Sequence, residues 1–134
     1  MSETRDSETR DVVTMYSPAG ELTKNQAFML AEARDFMDAY AHTFKRSLSE
    51  DADDEQSLPL RYRELLIAAV LITARAPQEG IVAHLGRAFS LGLTQREALD
   101  AIMALHVPGG APALWNGVRA LRTTLAPAES GLEP

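Results

Sequence analysis

The longest apolar run of the chain extends from Leu65 to Ala74 and is interrupted only by Thr73. It is about half the length of a membrane-spanning helix, so a helix here is expected to be buried against other protein. Pro59 suits the first turn of this helix, which the sequence predicts to reach about Arg75. No segment of the chain alternates apolar and polar side chains with a period of two. The pattern therefore predicts an all-α fold in which this helix is central.

Two capping boxes mark the starts of other helices. Thr23 precedes Gln26, and Thr94 precedes Glu97, at the spacing that lets each pair satisfy free backbone N–H groups. The first of these helices has an apolar stripe at helical spacing from Leu30 to Phe44. This stripe implies packing against other helices, within the protomer or from a partner. The main helices are predicted, each to within a few residues, over residues 23–48, 59–75, 79–91, 94–106 and 112–125.

Polar segments and helix breakers divide the chain. After Met1, the sequence Ser-Glu-Thr-Arg-Asp is written twice and offers nothing to bury, so residues 1–22 are predicted to be a disordered N-terminal tail. Residues 49–57 are acidic and are predicted to be a solvated linker. Gly92 and the segment Val107–Gly110 are predicted to end helices. Residues 23–134 are long enough to form a single helical domain.

Charge and composition exclude several classes of function. The net charge of −6 argues against nucleic acid and against an anionic membrane surface, since both bind clustered Lys and Arg. The chain begins without an apolar signal segment, and a cytoplasmic location is predicted. With no cysteine, it has no disulfide, no thiolate nucleophile and no thiolate metal ligand. No cofactor is predicted.

Glu64 and His84 are the leading candidates for chemistry. His84 falls at the edge of the apolar arc of the third predicted helix, where a partly buried imidazole can act as a general acid or base. Glu64 is in the first turn of the apolar helix, and a carboxylate near an imidazole can orient it. Ordinary structural roles also explain both residues: a core-edge histidine bonded to a carbonyl, and a carboxylate favoured by the helix dipole.

Three further residues are weaker candidates. Glu79 precedes His84 by five residues and either serves the dipole of its helix or projects into the same cleft. Arg87 is a possible carboxylate clamp. Trp115 is a possible substrate contact, although packing explains it equally well. A metal site formed with His106 is conceivable, but no close ligand spacing supports it, and no metal is predicted.

Four segments between residues 58 and 121 resemble the carboxymuconolactone decarboxylase family, which includes the alkylhydroperoxidase D-like proteins. Each segment is weak alone, but their order and spacing make the resemblance specific. The segments are Leu58-Pro-Leu-Arg-Tyr-Arg-Glu64-Leu-Leu, Ala83-His84-Leu-Gly-Arg-Ala88, Gly92-Leu-Thr-Gln-Arg-Glu97-Ala and Gly110-Ala-Pro-Ala-Leu-Trp-Asn116. The resemblance implies an alkylhydroperoxidase D-like helical bundle with its core over residues 58–125, assembled as a homo-oligomer, a trimer or a hexamer.

The resemblance also implies two kinds of chemistry. Thiol-bearing members carry a Cys-x-x-Cys pair and are peroxidases, but the matching positions here are Pro77 and Gly80, so this activity lacks its nucleophile. Decarboxylase members act on a carboxylated lactone. For that reaction the resemblance assigns acid–base catalysis to His84, its orientation to Glu64 and a place near the leaving carboxylate to Arg87. The alternative is a non-catalytic, oligomeric protein of the same fold that binds a small molecule.

Overall fold

The described residues of the chain are mainly helical. A computed structural model describes residues 2–17, 20–49 and 54–126, with side chains from Arg5 onward. Within these residues there are seven helices and no strand, so the all-α prediction is confirmed. The helices are α1 Ser2–Val13, α2 Lys24–Glu32, α3 Arg34–Leu48, α4 Leu60–Thr73, α5 Gln78–Ser90, α6 Gln95–Ala104 and α7 His106–Leu125. They form two compact units, residues 1–55 (unit 1) and residues 56–134 (unit 2), and this boundary falls inside the predicted single domain.

Helix α1 of unit 1 occupies the segment for which the sequence predicts a disordered tail. It packs along α3, and both Thr9 and Val13 on α1 are buried. The Thr9 hydroxyl donates to Asp38 Oδ1 over 2.7 Å, and Asp6 pairs with Arg34. The tandem repeat therefore packs through polar contacts, which an analysis of apolar periodicity does not detect.

A break at Ala33 separates α2 from α3, where the sequence predicts one continuous helix. The backbone of Ala33 (φ −138°, ψ 53°) is outside the helical region. The capping box of Thr23 and Gln26 is confirmed at the start of α2. Gln26 has a second role, because its side-chain amide also donates to the carbonyl of Val13 over 2.8 Å and so links α2 to the end of α1.

Unit 2 is built around the pairing of α4 with α5, to which α6 and α7 are added. The small side chains in its core allow the helices to approach closely, as at Gly117 of α7, where an added Cβ would lie 2.7 Å from Ile102 of α6. The buried core consists of Ala68, Ile72, Ile81, Leu85, Ala88, Leu93, Ala98, Ile102, Ala113, Ala120 and Leu121.

The sequence predicts that α4 is a central helix buried on all sides. In the structure, part of its apolar surface is exposed. Ala68 and Ile72 are buried, whereas Leu66 is 60% exposed and Val70 62% exposed on another face. The helix ends at Thr73, shortly before Arg75 takes a positive φ of 58°. In the part of the chain that the structure describes, no helix is both long enough and apolar enough to cross a membrane.

The predicted stop at Gly92 is confirmed, whereas the predicted break over Val107–Gly110 is confirmed only at Gly110, because α7 already begins at His106. Gly92 has a φ of 104° after α5, a conformation that glycine adopts without steric cost. Gly110 (φ 73°, ψ −171°) interrupts α7 within the predicted Val107–Gly110 break. The capping box of Thr94 and Glu97 opens α6 as predicted.

Candidate active site

Glu64 is the only acidic side chain that is fully buried among the described residues. It lies on α4, one turn after Leu60 and one turn before Ala68, which are both core residues. A carboxylate taken out of water costs several kcal/mol unless hydrogen bonds and opposite charge compensate. The site is therefore defined by what compensates Glu64.

Two residues of α5 hold the two oxygens of this carboxylate. His84 Nδ1 lies 2.6 Å from Glu64 Oε1, and Arg87 Nη1 donates to Glu64 Oε2 over 2.6 Å. Residues three apart on a helix share one face, so a single face of α5 supplies both partners. The His84 and Arg87 side chains are themselves only 13% and 17% exposed. The three side chains form a cluster, which we call the Glu64 triad, at the edge of the core.

The contact with Glu64 fixes the tautomer of the His84 ring. A carboxylate can only accept, so the proton of the neutral ring lies on Nδ1 and the lone pair lies on Nε2. Nε2 is then the ring nitrogen through which a proton can be exchanged with a substrate, while Glu64 orients the ring. The pairing of an imidazole with a carboxylate that orients it is an arrangement that general acid–base catalysts use.

The other predicted site residues do not join the triad. Glu79 is exposed in the first turn of α5, and Trp115 on α7 is 64% exposed. His106 is exposed at the start of α7. All three are thus exposed, whereas the side chains of Glu64, His84 and Arg87 are at most 17% exposed. In the same residues there is no group of three or more acids and histidines placed to hold a metal ion.

Tyr62 fixes the start of α4 next to the triad. Its hydroxyl donates to Glu97 Oε2 of α6, while Glu97 Oε1 accepts the backbone N–H of Thr94 in the capping box. The Tyr62 hydroxyl is the main reason that the pKa of Glu97 is lowered from its ordinary value. The guanidinium of Arg61 lies 4.6 Å from the centre of the Tyr62 ring. The turn that carries Glu64 is thus tied to the first turn of α6.

A second polar contact, which the sequence does not predict, lies at the other end of the α4–α5 pair. The side-chain amide of Gln78 donates to Asn116 Oδ1, and Asn116 Nδ2 donates to the carbonyl of Ile72 over 3.1 Å. These bonds join the start of α5, the end of α4 and the middle of α7. The pairing spans 38 and 44 residues of sequence, and no local pattern signals contacts so distant.

Two cavities of about 700 Å³ and 550 Å³ are lined by residues of unit 1, and neither includes a member of the Glu64 triad. The triad instead meets the surface through the small exposed fractions of His84 and Arg87. Cavity size therefore does not identify the candidate active site, and the paired buried groups do.

The comparisons with known proteins agree with this geometry. The model of the carboxymuconolactone decarboxylase family matches residues 34–123, a range that contains the whole triad. The chain is also similar to a crystal structure from Burkholderia xenovorans LB400, a protein provisionally named a carboxymuconolactone decarboxylase. That similarity has a TM-score of 0.72 and 25% identity, and it covers 90% of this chain and 91% of the other. No curated protein matches the chain significantly.

Proposed function

Because the chain belongs to the carboxymuconolactone decarboxylase family, we propose that it is a cofactor-independent lyase that removes carbon dioxide from a small carboxylated lactone or a related acid. The observation that carries this proposal is the 2.6 Å contact between His84 Nδ1 and the buried Glu64 carboxylate. Decarboxylation of such a substrate needs a positioned proton donor and stabilisation of negative charge. The triad supplies groups of both kinds.

The proposed reaction breaks the bond between the substrate's carboxylate carbon and its neighbouring carbon. Carbon dioxide leaves, and the electron pair of that bond passes into the conjugated lactone carbonyl as an enolate. The imidazolium form of His84 then donates its Nε2 proton to the substrate carbon, and solvent reprotonates the neutral ring. Glu64 exchanges no proton with the substrate; it holds the ring and stabilises the imidazolium.

Arg87 is proposed to contact the substrate carboxylate before it leaves. One of its nitrogens is bonded to Glu64, but a guanidinium has five N–H donors in a fixed fork, so the remaining donors can bind a second carboxylate. The same residue also balances the charge of Glu64 inside the protein. Glu79 and Trp115 stay in the proposal as groups that border the substrate, since both are solvent-accessible.

A catalytic role also explains why the triad is ionic. Proteins in which apolar residues replace a buried ion pair are often as stable as the original or more stable. A binding protein of this fold would therefore not need Glu64, His84 and Arg87 at the edge of its core. Thiol-based peroxide reduction has no nucleophile here, because the chain contains no cysteine.

The test is turnover of carboxymuconolactone by the wild-type protein and by variants that circular dichroism shows to be folded under the assay conditions. His84→Ala is expected to lower the rate by about 10²–10⁴-fold, the usual contribution of a positioned acid or base. Glu64→Gln is expected to lower it less, because the carboxylate only orients the ring. His106→Ala, which removes an exposed imidazole from the same unit, is the matched control and should retain full activity. A folded His84→Ala protein with unchanged turnover would contradict the proposal.

We also propose that the protein is a homo-oligomer, a trimer or a hexamer. Large apolar side chains of both units are exposed in the single chain, among them Phe36 at 60%, Leu66 at 60% and Val70 at 62%, and such surface is usually covered by a partner. Sedimentation at micromolar concentration is expected to give a multiple of 14.6 kDa. A stable species at that monomer mass would refute this proposal.

A further inference from the structure

The 700 Å³ cavity of unit 1 lies between α1 and α3. Its volume is within the range of about 300–1,000 Å³ that small-molecule sites occupy. The α1 wall comes from residues that precede the segment matched by the family model, residues 34–123. The cavity is thus partly built by an element outside the matched family region, and it is separate from the Glu64 triad. The lining includes Arg5, Glu8, Val12, Asp38, Lys45 and Arg46.

The two acids of the cavity already have partners. Asp38 Oδ1 accepts both the Thr9 hydroxyl over 2.7 Å and Arg34 Nε over 3.1 Å, and the hydroxyl is the main cause of the lowered pKa of Asp38. Glu8 lies 4.0 Å from Lys45, at the limit of an ion pair. Arg34 is not part of the lining. The negative charge of Asp38 is therefore compensated by a cation that lies outside the cavity.

Arg5 and Arg46 are the cavity's cations that do not take part in these pairs. Neither has a hydrogen bond or an ion pair within the described part of the chain; Arg5 acts on Asp38 only through longer-range attraction. The cavity therefore has an excess of positive charge in a chain whose net charge is −6. A guanidinium binds a carboxylate through two parallel hydrogen bonds.

The rest of the lining is apolar enough to contact a hydrocarbon body. Val12 of α1 and the buried Ala41 of α3 contribute to the walls. The alkyl stems of Lys45 and Arg46 add apolar surface while their charged ends reach water. A fully hydrated inorganic anion would gain nothing from these groups.

We propose that this cavity is a binding site for a small organic carboxylate with an apolar body, whose carboxylate pairs with Arg5 and Arg46. The site involves no covalent step, and it does not depend on the proposed lyase activity of unit 2. Its ligand would be recognised jointly by positive charge and by apolar contact.

The tandem repeat supplies a matched control for the test. Arg5 and Arg10 occupy the same position of the two Ser-Glu-Thr-Arg-Asp units, but only Arg5 lines this cavity, whereas Arg10 lines the other one. The experiment is a titration of the full-length protein with sodium benzoate, followed by the amide resonances of Val12 and Ala41 in two-dimensional NMR. Benzamide, which is neutral, and inorganic phosphate, which has no apolar body, are titrated in parallel.

Benzoate is expected to shift the resonances of Val12 and Ala41 in a saturable way. Arg5→Gln and Arg46→Gln should each weaken binding about fivefold, the effect of an exposed charge pair at the upper end of its usual range. Arg10→Gln should leave the affinity unchanged within about twofold, since Arg10 lines the other cavity and an exposed charge without a direct contact contributes little in water. All three arginines are exposed, so the variants should fold, and circular dichroism checks this.

Four results would overturn the proposal. If benzamide bound as tightly as benzoate, the charge of the ligand would be irrelevant. If phosphate bound as tightly as benzoate, the apolar walls would be irrelevant. Loss of affinity in Arg10→Gln as large as that in Arg5→Gln would mean that only the overall charge of the protein matters. An absence of saturable shifts with benzoate would also reject the site. None of these results bears on the activity of His84.

Discussion

Asp38 in unit 1 and Glu64 in unit 2 are each a carboxylate held by two donors, one of which is an arginine. Asp38 accepts from a threonine hydroxyl and from an arginine of its own helix, and its side chain is 19% exposed. Glu64 is 0% exposed and accepts from the arginine and the histidine of a neighbouring helix. Water can solvate Asp38 if its partners are lost, whereas the buried Glu64 must be compensated by groups of the protein. Burial, and not the number of hydrogen bonds, separates a packing contact from a candidate site.

The partners differ as much as the burial. The Thr9 hydroxyl and Arg34 do not change their charge near neutral pH, so the cluster of Asp38 can only fasten α1 to α3. His84, in contrast, is an imidazole, the side chain that acts most often as a general acid or base. Among the carboxylates compared here, only Glu64 is therefore placed to support proton transfer.

The largest expected difference between the two clusters is in stability. Glu64→Gln removes the charge that compensates Arg87 inside the protein, and the loss of one partner from a buried pair costs about 3 kcal/mol. Asp38→Asn is expected to cost much less, because solvent replaces the lost interaction. Urea denaturation of both variants measures the difference. Equal losses would mean that the burial of Glu64 is not what distinguishes the clusters.

A smaller effect is expected in the pH dependence of stability. The pKa of Glu97 is lowered below its ordinary value of 4.5, chiefly by the Tyr62 hydroxyl. A carboxylate with a lowered folded-state pKa contributes stability that is fully present above the unfolded value and is lost as the pH falls through the folded value. The contribution is therefore complete at pH 7, begins to decline as the pH falls below 4.5, and is lost once the pH is below the lowered pKa of folded Glu97.

Tyr62→Phe is expected to move the midpoint of acid unfolding to higher pH, because Glu97 then loses its main stabilising donor. Tyr40→Phe in unit 1 is the matched control. It also removes a tyrosine hydroxyl, but one that contacts no carboxylate among the described residues. Circular dichroism as a function of pH measures both. A midpoint that is the same in both variants would remove the proposed link between the start of α4 and α6.

The sequence predicted those parts of the fold that local chemistry determines. The boxes at Thr23 and Thr94, the stop at Gly92 and the break near Gly110 depend on neighbours within a few residues, and all are confirmed. The break at Ala33 was missed, because the apolar stripe continues across it. Helix α1 was missed because its contacts are polar and its partner α3 is distant in the sequence.

The candidate site was predictable only in part. Glu64 and His84 could be selected by residue type and by their place on apolar helices, but a separation of 20 residues left their contact open. The sequence does not predict the bond of Arg87 to Glu64, because residue type alone indicates only a possible clamp for a substrate carboxylate. That bond depends on the register between α4 and α5, which packing sets and no local pattern encodes.

¹⁵N NMR of the imidazole nitrogens decides whether Glu64 holds the His84 ring in the form that leaves Nε2 for proton transfer. The chain has three histidines, and His42 and His106 are exposed, so their signals serve as internal references. The neutral His84 ring is expected to carry its proton on Nδ1, and Glu64→Ala should abolish this preference. A neutral His84 with its proton on Nε2, or a His84 signal unchanged by Glu64→Ala, would contradict the account.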